Sequence, residues 1–402
     1  MPEGPEGPEG PEGPEGQAGA RVIVGMSGGV DSSVAAHLLQ QQGYQVEGLF
    51  MKNWEEDDGT EYCTALQDLA DAEAVCARLG IPLHTANFAA EYWDNVFAEF
   101  LDDYRANFTP NPDVLCNREI KFKQFARYAN RLGAKFIATG HYARITHEAS
   151  GPSLLKGTDE GKDQTYFLQA VASDQLANTL FPLGDWRKSD VRELAMNLGL
   201  HNHNRKDSTG ICFIGERRFA DFLERYITDQ PGNIVDPDGR VLGRHRGLHQ
   251  FTLGQRQGIN LGGIRGRAEA PWYVVGKLPE ANLLVVSQDQ SHLLTRWLRA
   301  SACNWQQPVT LPLRCHAKIR YRQDDQACRV SAAADGKLLV EFEHAQRAVT
   351  PGQYIAFYNN QTLLGGARIS AFDDSGLHGL AAAQDKENNP TLQQHPRDGN
   401  KT

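Results

Sequence analysis

A short segment rich in glycine and serine carries the clearest chemical signal in the chain. It runs from Gly25 to Ser33 with the sequence GMSGGVDSS, between an apolar run typical of a buried strand and an amphipathic run typical of a helix. Adjacent glycines let a backbone approach a ligand closely, and the amides and dipole at a helix start attract phosphate. Asp31 could orient the loop or help to hold Mg²⁺. The segment predicts a phosphate-binding loop, with an ordinary strand-to-helix turn as the alternative.

Two of the seven cysteines lie in settings that favour a reactive thiol. Cys116 follows two prolines in TPNPDVLCN and precedes Arg118, Lys121 and Lys123, while Cys212 lies in KDSTGICFIG with cations on both sides. Nearby cations lower the pKa of a thiol and raise its thiolate fraction. A buried structural cysteine is the alternative at both positions. The sequence has no CxxC pair, which argues against a zinc ribbon. The other cysteines are expected to be packing residues: Cys63, Cys76, Cys303, Cys315 and Cys328.

The loop pattern narrows the chemistry. It has neither the GxxxxGK[ST] pattern of a Walker loop nor the GxGxxG pattern of a dinucleotide-binding loop. It matches SGGxDS and so resembles the ATP pyrophosphatase (PP-loop) superfamily. This resemblance implies cleavage of ATP between its α and β phosphates and adenylation of a substrate oxygen. Two reactive thiols beside such a loop suggest sulfur transfer, in which a persulfide on one cysteine attacks the adenylated carbon and the second cysteine releases the sulfur.

The elements that must position these residues alternate between strand and helix. Strands are predicted at 21–25, 45–50, 82–88 and 135–139, and helices over 34–42, 65–79 and 92–104. This alternation predicts an α/β fold with an N-terminal open parallel sheet, and the loop resemblance implies that the sheet is of the PP-loop (adenine nucleotide α-hydrolase-like) type. A Gly- and Arg-rich stretch follows, with a short helix near 219–226. Short alternating runs over 295–372, broken by Pro-Gly, Asp-Gly and Gly-Gly turns, predict a C-terminal antiparallel β-barrel after a small central domain.

Length and composition divide the 402 residues into three domains and two tails. Five Pro-Glu-Gly copies near the start and a polar stretch at the end are expected to be disordered. The predicted parts are a tail (1–20), a PP-loop catalytic domain (21–215), a small central domain (216–290), a barrel (291–373) and a second tail (374–402). The sequence shows no signal-peptide pattern and no apolar run long enough to span a membrane, so we expect a cytoplasmic protein with reduced thiols.

The formal net charge of −9 argues at first against a nucleic-acid binder. The charge is unevenly distributed, however. Residues 187–267 hold fourteen Arg or Lys against nine Asp or Glu, and residues 296–329 hold seven against two. These two segments are candidates for a surface that faces phosphates, and ordinary solvated faces are the alternative.

Seven motifs in unbroken order, from about Arg21 to Phe372, resemble those of tRNA-specific 2-thiouridylases of the MnmA type. The motifs are GMSGGVDS (25–32), GLFMKNW (48–54), TPNPDVLCN (109–117), ATGHY (138–142), KDQTYF (162–167), KDSTGICF (206–213) and TLGQR (252–256). The two tails lie outside the resemblance.

The resemblance implies roles for particular residues. Cys116 matches the catalytic nucleophile, and Cys212 matches the cysteine that carries the persulfide. Asp113 is implied as an acid/base near the target base, with an N-cap or turn aspartate as the alternative. The positions implied to contact ATP are Gly25, Met26, Ser27, Gly28, Gly29, Val30, Asp31, Ser32, Met51 and Gly140. The segment implied to meet the target base is Asn111, Pro112 and Asp113. The positions implied to contact tRNA are His141, Lys162, Asp163, Gln164, Arg320, Tyr321 and Gln353.

The implied reaction is replacement of the C2 oxygen of the wobble uridine (position 34) by sulfur, in tRNAs for Lys, Glu and Gln. It uses ATP with Mg²⁺ and gives 2-thiouridine, AMP and pyrophosphate. The implied partners are tRNA and a sulfur donor such as a cysteine desulfurase or a sulfur-relay protein. A monomer with no resident metal and no membrane contact is expected.

Several plainer interpretations stay open at this point. His141 could be a satisfied loop histidine, and Lys162 and Arg320 could be isolated surface cations. A different PP-loop ligase, such as an amidotransferase-type synthetase, would need no paired cysteines. A non-catalytic RNA-binding protein with the same fold would tolerate loss of Asp31 or Cys116.

Overall fold

The computed structural model describes residues 19–56, 65–148, 151–206, 219–262 and 269–372. Cys63 and Cys212 lie outside the described residues, as do nearly all of the predicted N-terminal tail and the whole of the predicted C-terminal tail.

Seventeen strands lie in the described residues. In chain order they are β1 (Arg21–Met26), β2 (Gln45–Lys52), β3 (Leu83–Asn87), β4 (Phe136–Ala138), β5 (Ala143–Glu148), β6 (Gly151–Lys156), β7 (Thr179–Leu180), β8 (Gly232–Val235), β9 (Val241–His245), β10 (Tyr273–Leu278), β11 (Leu283–Ser287), β12 (Leu294–Trp305), β13 (Leu313–Lys318), β14 (Gln326–Ala332), β15 (Leu338–Arg347), β16 (Tyr354–Asn359) and β17 (Thr362–Phe372).

The described α-helices concentrate in the first half of the chain. They are α1 (Val30–Gln41), α2 (Ala65–Leu79), α3 (Ala89–Tyr92), α4 (Ala98–Arg105), α5 (Pro112–Cys116), α6 (Phe125–Arg131), α7 (Thr165–Leu168), α8 (Ser173–Leu176), α9 (Lys188–Asn197) and α10 (Phe219–Leu223). Two π-helical segments, Trp93–Phe97 and Asn117–Gln124, join α3 to α4 and α5 to α6. Within the ranges that the structure describes, no helix has the length and apolar character needed to cross a membrane.

The N-terminal part is built on a five-stranded parallel sheet in the order β3-β2-β1-β4-β7. Because side chains alternate along a strand, Val22 and Val24 enter one apolar layer with helices α1 and α9, whereas Ile23 enters the other with Phe122 and Phe125. Both faces of the sheet are therefore covered, as is usual for parallel sheets. This confirms the predicted α/β class and places the ends of β1, β2 and β4 at one edge.

A four-stranded sheet in the order β10-β11-β8-β9 forms the core of the small central part. Strands β11 and β8 are parallel, and the other two pairs are antiparallel. The strand β11 is buried along its whole length because apolar side chains cover both of its faces.

The C-terminal part is an antiparallel barrel of strands β12 to β17, which closes through direct pairing of β12 with β17. The predicted barrel is thus confirmed. The sequence did not indicate that hairpin β5–β6, which follows the fourth strand of the parallel sheet, would pair with β17 and extend the barrel sheet. The first and last parts of the chain therefore share one sheet.

Candidate active site

The predicted phosphate loop turns from β1 into α1 at the carboxyl edge of the parallel sheet. Gly28 has φ of +72°, a conformation that favours glycine, and Gly29 is the N-cap. The Ser32 hydroxyl donates to the Gly29 carbonyl at 3.0 Å and lies 3.3 Å from the Ser27 hydroxyl. Among the described residues no side chain caps α1. The serines order the loop, and the first amides of the helix are left as donors for an anion.

The carbonyl of Gly28 is held from a distant part of the sequence. Asn202 Nδ2 donates to it at 2.9 Å and Arg205 donates to it at 3.3 Å. The Arg205 guanidinium also pairs with Asp68 and Asp71 of α2. These contacts fix the loop from the segment that leads directly to residues 207–218, where Cys212 lies outside the described residues.

Asp31, at the start of α1, is part of a partly buried polar cluster. Lys188 Nζ donates to both carboxylate oxygens at 2.7 Å, and the Tyr142 hydroxyl donates at 2.8 Å. Of the two roles considered for Asp31, these contacts favour orientation of the loop over direct binding of Mg²⁺. Lys188 begins α9, so this cluster connects the loop to a second helix.

Two further residues from the predicted nucleotide set lie against the loop. A Cβ on Gly25 would lie 3.4 Å from the Met51 side chain, and a Cβ on Gly140 would lie only 2.8 Å from the backbone of Asp31 and Ser32. Gly140 must therefore lack a side chain for β4 to end against α1. The loop, Met51 and Gly140 converge at one edge of the sheet, the usual ligand position in open α/β sheets.

The predicted target-base segment forms the start of a helix. Pro112 occupies the first turn of α5, and the Asn111 side chain accepts a hydrogen bond from Val114 N at 3.4 Å. Asn111 is therefore the N-cap, so the alternative interpretation of Asp113 as the cap is wrong. Cys116 ends this helix with a relative exposure of 3%, and the π-helical segment Asn117–Gln124 follows. π-Helical segments are frequent at functional sites.

Asp113 is exposed by surface area, but the surrounding protein raises its carboxyl pKa. Burial is the larger cause, and the positive charge of Lys121 acts in the opposite direction. A carboxyl group whose pKa is raised by burial keeps its proton more readily than an ordinary carboxyl group, which suits a role in proton transfer.

The cations next to Cys116 in sequence are mostly engaged by carboxylates. Arg118 pairs with Glu99 and Glu119, and Lys123 pairs with Glu119 at 2.6 Å. Lys121 is the neighbouring cation whose charge acts on Asp113. Carboxylates thus balance most of the cations predicted to activate the thiol, and the Cys116 side chain itself is buried within an apolar cluster.

Gln353, at the start of β16, holds the target-base segment from the barrel. Its Nε2 donates to the carbonyls of Thr109 and Pro110 at 2.8 and 2.9 Å, and its Oε1 accepts from Asn111 Nδ2 at 3.3 Å. The central part also contacts this segment, because Lys277 Nζ donates to the Asn107 carbonyl at 3.0 Å. All three parts of the chain therefore meet just before Cys116.

The remaining residues predicted to contact tRNA differ in exposure. His141 is buried between Phe122 and Phe181, with its Nδ1 2.7 Å from the Thr139 hydroxyl, and burial lowers its pKa well below the usual range. This setting agrees with the interpretation of a satisfied, neutral histidine.

The segment Lys162–Gln164 forms a turn beside the phosphate loop. The buried Asp163 carboxylate accepts from the backbone of Gly157 and Thr165, both at 3.2 Å, while Lys162 and Gln164 are partly exposed. Gln164 accepts from Tyr142 N at 2.9 Å. Tyr142 therefore joins this turn to Asp31 of the loop.

Arg320 and Tyr321 lie at the tip of hairpin β13–β14. Arg320 is exposed, and the Tyr321 ring packs on Phe167 with centroids 4.7 Å apart. Because Phe167 lies in α7, which begins directly after the Lys162–Gln164 turn, this contact places the hairpin tip next to the turn.

Sequence reasoning missed four residues that hold the phosphate loop: Tyr142, Lys188, Asn202 and Arg205. They are distant from the loop in the sequence: Tyr142 reaches it from the turn between β4 and β5, and the other three reach it from α9 and the segment that follows α9. The available sequence signals were that Tyr142 ends the ATGHY motif and that Arg205 directly precedes the KDSTGICF motif.

Three family models match the chain in succession. They are described as a tRNA methyl transferase HUP domain (residues 20–216), a tRNA methyl transferase PRC-barrel domain (220–288) and an aminomethyltransferase β-barrel domain (295–369). The order agrees with the parallel sheet, the central sheet and the closed barrel.

Relatives similar over nearly their whole length are named tRNA-specific 2-thiouridylase MnmA. The protein of Stutzerimonas stutzeri strain A1501 is 60% identical over 87% of this chain and 94% of its own length. The Pseudomonas aeruginosa strain UCBPP-PA14 protein is 59% identical over 87% of this chain and 94% of its own length. The Marinomonas sp. strain MWYL1 protein is 58% identical over 87% of this chain and 91% of its own length.

The first two family models are named after a methyl transferase, whereas these relatives match across all three parts of the chain and share one name. Their identity over more than nine-tenths of their own length decides between the two descriptions. The chain belongs to the tRNA-specific 2-thiouridylase family of PP-loop tRNA sulfurtransferases.

Proposed function

We propose that this chain uses ATP to replace the C2 oxygen of the wobble uridine (position 34) by sulfur in tRNAs for Lys, Glu and Gln. One observation carries the proposal: the helical stretch that contains Cys116 continues into Phe125, whose ring would lie 3.4 Å from a Cβ on Gly25 of the phosphate loop. A nucleotide-activating loop and a thiol-bearing helix are thus built against each other.

The first step in this proposal is activation of the uridine. PP-loop proteins bind ATP, and the uncapped start of α1 with Ser27 and Ser32 suits the phosphates. The C2 oxygen attacks the α-phosphate, and pyrophosphate leaves. In the part of the chain that the structure describes, no cluster of three or more acidic, His or Cys side chains is arranged for a metal ion. We therefore assign Mg²⁺ to the nucleotide phosphates rather than to a protein cage.

The second step is sulfur transfer. The terminal sulfur of a persulfide on Cys212 attacks C2, and AMP leaves. The Cys116 thiolate then attacks the inner sulfur of Cys212, which forms a Cys116–Cys212 disulfide and leaves the transferred sulfur on C2 as 2-thiouridine. External thiols reduce the disulfide, and a cysteine desulfurase or sulfur-relay protein renews the persulfide.

Base binding requires the uridine to leave its stack. We assign the pocket to Asn111, Pro112 and Asp113, because they form the helix start that leads to Cys116. The raised pKa of Asp113 supports a role in proton transfer at the base.

We assign direct tRNA contacts to the surface formed by Lys162, Gln164, Arg320 and Tyr321. His141, Asp163 and Gln353 are held by protein partners, so we assign them to shaping that surface and the pocket. If cations on this surface grip phosphates, tRNA affinity falls steeply as salt rises, and a flat salt profile would contradict the assignment.

The decisive experiment is nucleoside analysis by mass spectrometry. Purified protein is incubated with tRNA, ATP, Mg²⁺ and a persulfide-generating cysteine desulfurase. We expect 2-thiouridine with the wild type and with Cys303→Ser, a control cysteine in the barrel, and no product with Cys116→Ser or Cys212→Ser. ATP-dependent turnover that gives no 2-thiouridine and is unchanged in Cys212→Ala would instead support a different PP-loop ligase. Absence of 2-thiouridine with the wild type, together with unchanged tRNA binding by Asp31→Ala and Cys116→Ser, would support a binding protein.

A further inference from the structure

Two cysteines that the proposed reaction does not use face each other in the barrel. Cys315 on β13 and Cys328 on β14 are directly opposed in the antiparallel register, and their sulfur atoms are 3.7 Å apart. Cys328 is buried, whereas Cys315 is partly exposed. The sequence places them thirteen residues apart, and only the hairpin register brings them together.

The backbone geometry at this pair fits a disulfide. Directly opposed residues of antiparallel strands have Cα atoms about 4.5–5.5 Å apart. A disulfide requires a Cα separation of about 4.4–6.8 Å. Rotation of the two side chains therefore suffices to join the sulfur atoms, and the register of the strands need not change.

The two thiols differ in exposure and in pKa, and thiol–disulfide exchange depends on both properties. The hydrogen bond between the two sulfur atoms lowers the pKa of Cys315, against the opposing effect of burial. The same hydrogen bond and burial raise the pKa of Cys328. Cys315 is thus the more accessible sulfur and the better thiolate, and Cys328 is placed to resolve a mixed disulfide.

The pair lies in the two strands whose connecting segment carries Arg320 and Tyr321. Arg320 is exposed and Tyr321 packs on Phe167, so this tip belongs to the surface assigned above to tRNA. A covalent link between Cys315 and Cys328 would fix the strands on both sides of that tip.

We propose that Cys315 and Cys328 are a redox modification site that reacts with low-molecular-weight disulfides of the glutathione type. The Cys315 thiolate attacks one sulfur of the disulfide, which forms a mixed disulfide and releases one thiol. The Cys328 thiol then loses its proton and attacks Cys315, which forms the Cys315–Cys328 bond and releases the second thiol. Two protein thiols are oxidised and one small disulfide is reduced to two thiols. The thiol–disulfide exchange itself requires neither ATP nor tRNA.

The test uses the full chain and peptide mapping. Reduced protein is equilibrated with mixtures of glutathione and glutathione disulfide, remaining thiols are alkylated, and the protein is digested with trypsin without reduction. Cleavage at lysine and arginine places Cys315 in the peptide Cys315–Lys318 and Cys328 in the peptide Gln323–Arg329. A cross-link between them therefore has a unique mass, two hydrogen masses below the sum of the two peptides.

We expect this cross-linked peptide to rise with the proportion of glutathione disulfide and to disappear on addition of excess dithiol. It should form equally in Cys303→Ser and be absent from Cys315→Ser, in which Cys328 should stay alkylated. Two results would overturn the proposal. One is full alkylation of both cysteines in the wild type at every ratio, and the other is a glutathione adduct on Cys315 that Cys328 does not resolve.

Discussion

Lys188 Nζ donates to both carboxylate oxygens of Asp31 at 2.7 Å, and this pair joins the start of α9 to the phosphate loop. The lysine side chain is nearly buried, and the Tyr142 hydroxyl is the second donor to the same carboxylate. The loop is therefore held by charge as well as by its own serines. Any change that breaks this pair should disturb nucleotide binding before it disturbs tRNA binding.

The first prediction concerns Lys188→Met. Loss of the charged hydrogen bonds should lower the free energy of unfolding by about 2 kcal/mol, because Asp31 keeps its charge in a partly buried place. The KM for ATP should rise while tRNA affinity changes little. Urea unfolding and steady-state kinetics measure the two effects. Lys337→Met, at the barrel surface, is the control, and an unchanged KM for ATP in Lys188→Met would refute the role of the pair.

The second prediction compares two glycines with the same left-handed backbone conformation, Gly28 in the phosphate loop and Gly80 outside it. The comparison separates the cost of that conformation from a steric clash of the added side chain. Gly28 and Gly80 have similar φ angles of +72° and +69°. A Cβ on Gly28 would lie 2.5 Å from the Asp68 carbonyl oxygen, whereas no described atom lies within 4 Å of a Cβ on Gly80. In both alanine variants, the cost of the left-handed conformation should lower the free energy of unfolding by about 1 kcal/mol. Only Gly28→Ala should also lose ATP-dependent thiolation, and equal activity of the two variants would contradict the loop assignment.

The third prediction uses Lys277, which contacts the segment before Cys116 from the central sheet. Burial lowers the pKa of Lys277 to about 7. An ordinary lysine has a pKa of about 10.4, so between about pH 7 and pH 10 the unfolded state binds more protons than the folded state. The free energy of unfolding therefore rises with pH across that window. Burial lowers the pKa of the neighbouring His249, and the positive charge of Lys277 lowers it further.

Urea unfolding of wild type and Lys277→Met at pH 6.5 and pH 9 tests this linkage. Relative to the variant, the wild type should gain stability with pH, by at most about 1.4 kcal/mol per pH unit. The difference in stability between the wild type and Lys337→Met should not change with pH, because that variant keeps Lys277. A pH-independent difference between the wild type and Lys277→Met would mean that this lysine is solvated in solution.

Local sequence patterns predicted the elements that depend on local chemistry. The apolar run at Arg21–Met26, the glycines of the loop and helix Ala65–Leu79 all follow from neighbouring residues. The contacts of Lys188, Arg205 and Gln353 could not be predicted, because each joins residues more than a hundred positions apart. A β-hairpin between Cys315 and Cys328 could be expected from the sequence, but their direct opposition could not. The register of a hairpin depends on where its turn begins, and no strong turn signal marks that point.

The fourth prediction concerns Gln353, whose amide joins the barrel to the target-base segment. Its Nε2 donates to the Thr109 and Pro110 carbonyls, and only an amide can donate there while accepting from Asn111. Gln353→Glu keeps the size of the side chain and loses the donor, so it places a carboxylate against two carbonyl oxygens. We expect kcat for thiolation to fall tenfold or more, which corresponds to an activation free energy raised by about 1.4 kcal/mol. The KM for ATP should stay unchanged.

A merely structural role for Gln353 would lower stability in proportion to activity, so each variant needs both measurements. Gln346→Glu on β15 is a matched control, because that glutamine bonds only with Gln323, Gln326 and the His344 carbonyl among the contacts resolved for its side chain. It should lose a similar amount of stability and keep its kcat. Equal loss of kcat in the two variants would show that the barrel acts on the reaction through general stability. A selective loss in Gln353→Glu would show that the barrel positions the helix start that precedes Cys116.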